Sequence, residues 1–154
     1  MRKILMIMVC AATSAPACAA PAAIMLTGRG VQIYACKPVD GSLAWRLKAP
    51  DADLFDAHGK LAGHHSAGPT WRAADGSAVT GEKLAEAAAP SSGAIPWLLL
   101  RAKTHAGTGL FAGVAYISRT QTEGGTAPAG ACDAALTGAE RRVPYSAIYT
   151  FFPG

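Results

Sequence analysis

Hydrophobic and polar positions alternate with a period of two along much of the chain, as in strands that bury one face. Over residues 30–36, Val31, Ile33 and Ala35 fall on one side and Gln32, Tyr34 and Cys36 on the other. Pro38-Val39-Asp40-Gly41 is a turn signal, and Leu43, Trp45 and Leu47 then share a side, so the two segments predict a hairpin. Residues 52–57, 60–65, 70–73 and 78–80 read as further short extended pieces, parted by Ala49-Pro50-Asp51, His58-Gly59, Gly68-Pro69 and Asp75-Gly76. Residues 81–89 hold good helix formers, but the stretch is short, Pro90 ends it and a strand here would pair with the next segment of the chain. The reading is ambiguous, leaning to strand. Residues 94–100 form the most apolar run, expected to be a central strand buried on both faces at its start, with Trp97 in the core. Residues 110–120 are β-rich, residues 123–130 form a polar loop, and residues 143–152 place Tyr145, Ala147, Tyr149 and Phe151 on one side. The sum is an all-β fold, an antiparallel sandwich or small barrel of about eight to ten short strands.

Composition narrows this further. With 51% hydrophobic and 16% charged residues the chain fits one domain with a real core, and its 17 Gly and 10 Pro favour tight turns over long helices. The first residues form a separate unit. Arg2 and Lys3 precede an apolar stretch at residues 4–12 and an Ala17-Cys18-Ala19 cleavage pattern, so residues 1–19 read as a secretory signal peptide and residues 20–154 as the mature domain, secreted or periplasmic. The apolar stretch is too short to span a bilayer, and nothing downstream is long and apolar enough to stop transfer. A lipid-modified cysteine requires an aliphatic residue three positions upstream, where Cys18 has Ala15. Removing the leader takes two of the fourteen basic residues, leaving twelve against ten acidic ones with Arg141-Arg142 as the sole basic doublet, which argues against a nucleic-acid partner. Cys36 and Cys132 remain, and in an exported chain an even pair predicts a disulfide, two buried thiols being the alternative.

Candidate chemistry is sparse. His64 and His65 are adjacent, so on a strand they face opposite ways and cannot share a metal. His65, Asp75 and His105 would supply donors suited to copper or zinc if the fold brought them together; the plainer account of His65 is an imidazole satisfied by a backbone carbonyl beside Trp71. His58 reads as loop surface. The chain carries neither a G-x-S-x-G nucleophile elbow nor a stand-out carboxylate pair, which disfavours a hydrolase. Trp45, Trp71, Trp97, Tyr34 and Tyr145 are candidates for a ligand pocket or for the core.

Five peptides in order, Gly30-Val31-Gln32-Ile33-Tyr34-Ala35-Cys36, Gly63-His64-His65-Ser66-Ala67-Gly68-Pro69-Thr70-Trp71, Asp75-Gly76-Ser77-Ala78-Val79, Ile95-Pro96-Trp97-Leu98-Leu99-Leu100 and Gly130-Ala131-Cys132-Asp133, resemble the exported family called domain of unknown function 3455. Ser66 departs from the family pattern, which places an aromatic there and encloses the flank of His65. The resemblance implies an exported protein with a Cys36–Cys132 pairing and implies no activity. The residues themselves point to a binding domain with His65, Trp71, Asp75 and His105 as candidate ligand-binding groups and an unknown small ligand or cell-envelope component as partner. An inhibitor or envelope-interaction protein, and a metal-dependent enzyme using His65, are the alternatives; the cofactor, if any, is unspecified.

Overall fold

Among the described residues the period-two alternation is realised as eight antiparallel strands that close on themselves. The computed structural model describes residues 21–154, so the expected leader over residues 1–19 lies outside the described residues. The strands are β1 (Ile24–Val39), β2 (Ser42–Phe55), β3 (Leu61–Ser66), β4 (Thr70–Ala73), β5 (Ala78–Ala87), β6 (Trp97–Ala106), β7 (Val114–Gly124) and β8 (Glu140–Pro153). Each strand pairs with the next, and β8 returns to β1 from Ile24 opposite Phe151 to Ala35 opposite Glu140. This is an up-and-down barrel, which leaves no sheet edge exposed, and it resolves the choice between sandwich and barrel. The only helical element among the described residues is a 3-10 turn at Ala134–Leu136.

The strands are fewer and longer than the turn signals suggest. The pieces expected at residues 43–48 and 52–57 are one strand, β2, running straight through Pro50. Proline is tolerated because residues 42–51 pair only with β1, while six-residue β3 reaches no further along β2 than residues 52–55. Residues 78–80 and 81–87 likewise merge into β5, whose pairing with β6 overrides the helix propensity of Glu82 to Ala85. Residues 82–87 are exposed at every position, so no alternation marks that half of the strand.

Inward faces of the strands build the core. Leu26, Leu54, Trp71, Leu100, Ile117, Tyr149 and Phe151 are all buried, and Phe111 from the β6–β7 connection packs on Phe151 with ring centroids 4.5 Å apart. On β1 the inward side is Gln32, Tyr34 and Cys36 rather than the more aliphatic Val31, Ile33 and Ala35. β1 and β2 approach closely at Gly30, where a Cβ would lie 2.2 Å from the Asp51 carbonyl oxygen. Two expectations for β6 need correction: Trp97 is half-buried, and Leu99 is 40% exposed. A barrel wall has one face to the lumen and one to the outside, so Leu98 and Leu100 turn to the core while Leu99 between them does not. The predicted Cys36–Cys132 disulfide is present. It fastens the β7–β8 connection to β1, which also holds that segment through backbone bonds from Cys36 N–H to Ala139 and from Gly138 N–H to Cys36.

Candidate functional site

β3 and β4 are six and four residues long, so the wall of the barrel is low where they stand. On either side, residues 47–50 of β2 and Lys83 of β5 rise above the β3–β4 turn, and between them a cavity of about 340 Å³ opens into one end of the barrel. Its walls are mainly aliphatic: Leu47 and Pro50 from β2, Pro69 from the turn, Leu98 and Leu100 from β6. That volume is at the small end of the roughly 300–1,000 Å³ of small-molecule sites.

Three polar side chains reach the cavity from the lumen. His65 is 3% exposed, stacks on Trp71 with centroids 4.5 Å apart and planes 6° from parallel, and meets Tyr149 edge-on at 5.1 Å. Its Nδ1 lies 2.9 Å from the Thr70 carbonyl oxygen. Because that oxygen can only accept, Nδ1 carries the proton and Nε2 is left as an acceptor. Burial pushes the imidazole down to about 4, opposing the Thr70 bond and aided by the Arg119 charge, so His65 is neutral at physiological pH.

Gln32, 1% exposed, enters from β1, and its carboxamide oxygen has no hydrogen-bond partner among the described residues. Such an orphaned buried acceptor is costly unless something else satisfies it. Arg119 enters from β7, on the inward side with Ile117 and opposite Leu98 of β6 and Tyr149 of β8. Its Nε and Nη2 donate to the Pro96 carbonyl oxygen at 3.1 and 2.7 Å. Deeper in the barrel the Tyr145 and Tyr149 hydroxyls lie 3.0 Å apart. Burial raises the pKa of both phenols, and the Arg119 charge pulls against that rise.

The four predicted site residues divide. His65 and Trp71 come together as the stacked pair, with the imidazole on a backbone carbonyl beside the indole. Asp75 is elsewhere: it accepts from the Ser77 amide and hydroxyl at 2.8 and 2.6 Å and from the Leu110 amide at 2.7 Å, clasping the β4–β5 turn to the β6–β7 connection. The Ser77 hydroxyl bond, then the Leu110 amide, holds its carboxyl below the usual range. His105 lies on another depression and donates through Nε2 to the Val114 carbonyl at 2.7 Å. His64 faces outward between Asp51 and Asp53, opposite to His65 as adjacency on a strand requires. Among the described residues no three His, Cys, Asp or Glu side chains form a group able to hold a metal ion. Of the aromatic candidates, Tyr34 donates to the Gly125 carbonyl inside the barrel at 2.6 Å, and Trp45 lies under the Arg141 guanidinium with its Nε1 donating to the Gly130 carbonyl.

Gln32 and Arg119 are absent from the residues that the sequence marks as candidates. The signal available for Arg119 is its two-residue spacing from Ile117, which puts the two on one face of a strand.

A family model described as "Protein of unknown function (DUF3455)" matches residues 16–153. No curated protein and no solved structure matches the chain.

Proposed function

Since the chain belongs to the DUF3455 family, whose description assigns no activity, we propose from the site itself that this protein binds a small, partly apolar molecule in the open end of its barrel. The cavity between β2 and β5, aliphatic at its walls and lined also by Gln32, His65 and Arg119, carries this reading. Convergence of an apolar concavity with a few buried polar groups is what small-molecule sites share. Export supports the same picture: the leader pattern at residues 1–19 and the Cys36–Cys132 bond both suit an oxidising compartment outside the cytoplasm. A catalytic role through His65 finds less support, because its Nδ1 is engaged by Thr70 and its ring is packed into the core.

Native mass spectrometry of protein isolated gently from the cells that make it tests the proposal. The expected result is a non-covalent adduct that is absent from Ala67→Trp, a change at an exposed position that fills the cavity mouth. An adduct carried equally by that variant would place the ligand elsewhere.

A second reading, attachment to a cell-envelope component, draws on the outer face. Tyr116 and Phe152 are cross-strand partners there, 44% and 39% exposed, with exposed Leu99 and Met25 on the same four neighbouring strands.

A further inference from the structure

We propose that the molecule taken up by the cavity is an organic anion, an acid group on an apolar body, with Arg119 as the residue that recognises the acid. The inference rests on the small-ligand reading above and specifies the chemistry of that ligand.

Charge in the lining is of one sign. The residues around the cavity include three cations, Lys48, Lys83 and Arg119, and no aspartate or glutamate. The two lysines are spoken for, Lys48 by Glu140 and Lys83 by Glu86 at 2.7 Å. Arg119 makes no salt bridge among the described residues, although its charge reaches the Glu86 carboxylate; its contacts are the neutral Pro96 carbonyl and the Tyr149 hydroxyl. A guanidinium offers five N–H donors, and the Pro96 carbonyl takes two. The remaining donors lie on a half-buried cation whose strand neighbours are Leu98 and Tyr149. A guanidinium with donors to spare at the edge of an apolar cup can grip a carboxylate through charge-assisted bonds.

A second observation points the same way without reference to charge. Gln32, 1% exposed and lining the cavity, has its carboxamide oxygen unpartnered. Buried acceptors in folded proteins are normally satisfied, so a small turn of the Gln32 side chain toward the cavity would let a hydroxyl of the ligand, or a water carried with its acid group, supply the missing donor. The aliphatic positions Leu47, Leu98 and Leu100 then receive the body of the molecule. His65 stays neutral, so it does not compete with Arg119 for the anion and presents an acceptor instead.

Octanoate and 1-octanol, which share a chain and differ in charge, are the probes. Isothermal titration calorimetry of both into the wild-type protein and into Arg119→Gln should show wild type preferring octanoate. Arg119→Gln should lose about tenfold or more in octanoate affinity, as expected when a charge-assisted bond is removed, while octanol affinity changes by less than about twofold. Retained octanol binding also shows that the variant is folded. Arg119→Lys should recover part of the octanoate preference. If wild type binds the two probes equally, or Arg119→Gln binds octanoate as wild type does, the anion assignment falls and the cavity still stands as a ligand site. If neither probe binds wild type, both readings fall. Should Arg119→Gln not fold, the wild-type preference between the two probes decides the assignment.

Discussion

Replacing His65 with glutamine should make the protein less sensitive to acid while weakening it at neutral pH. The imidazole is pushed down to about 4 by burial in the barrel, against 6.5 when exposed. The unfolded chain therefore takes up its proton first as the pH falls. Stability is unaffected by this group above about pH 6.5 and drops by about 1.36 kcal/mol per pH unit between there and the folded value. From pH 7.5 to pH 4.5 the loss from His65 alone amounts to about 2.5 kcal/mol, a large part of the about 5–15 kcal/mol of an ordinary domain. Glutamine keeps a donor for the Thr70 carbonyl but gives up the stack on Trp71 at 4.5 Å, a cost of about 1–3 kcal/mol at pH 7.5. Since glutamine does not titrate, the gap between the two proteins should close by about 2.5 kcal/mol on going to pH 4.5. Urea melts of both at pH 7.5, 6.5, 5.5 and 4.5 measure it. Asp56, Asp75, Glu82 and Glu86, each held below its usual range by hydrogen bonds, lose their contributions at lower pH, and both proteins share them. A gap that stays constant from pH 7.5 to 4.5 would show that His65 titrates as a solvated group and is not the buried member of this stack.

The same geometry sets three further outcomes. Trp71→Ala should cost about 3–5 kcal/mol in denaturant melts, and Trp97→Ala distinctly less, because Trp71 is 1% exposed and Trp97 only half-buried. Converting Cys36 and Cys132 to alanine should cost about 4.7 kcal/mol, the chain-entropy value for a closure spanning 96 residues, read as a lower denaturation midpoint with octanoate affinity unchanged. Gly30→Ala should cost at least about 2 kcal/mol in the same melts, since the new methyl meets the backbone of Asp51 and Ala52, which cannot swing away as a side chain would.

How far the sequence foretells this structure differs from one stretch to the next. The β1–β2 hairpin was legible because Asp40 and Gly41 both take positive φ, 49° and 82°, at a turn that their residue types announce. β8 was legible because Tyr145, Ala147, Tyr149 and Phe151 all face the core at strict alternation. β5 was obscured by its exposed half, where neither face is buried and Glu82, Lys83 and Ala85 carry only a weak helix preference. Side assignment was harder than strand assignment. On β1, burial goes to Gln32, Tyr34 and Cys36, against the hydrophobicity of Val31, Ile33 and Ala35, because Cys36 is bonded to Cys132 and Tyr34 reaches Gly125 across the lumen. His65 and Trp71, which stacks on it from outside the cavity lining, lie within one peptide, and their pairing could be read from it. Gln32 and Arg119 are 87 positions apart, and only closure of the barrel between β8 and β1 brings their strands to the same cavity.

Whether a ligand enters the open end of the barrel can be read residue by residue from chemical-shift mapping of the ¹⁵N-labelled protein during titration with octanoate. Saturable shifts are expected at the backbone amides of Gln32, residues 47–49, Ala67, Gly68, Leu98 and Arg119, around the opening between β2 and β5. Shifts confined to Leu110, Gly113, Val114 and Phe151, which line the separate cavity of about 280 Å³ beside Pro21 and Ile24, would contradict a binding site at the open end between β2 and β5.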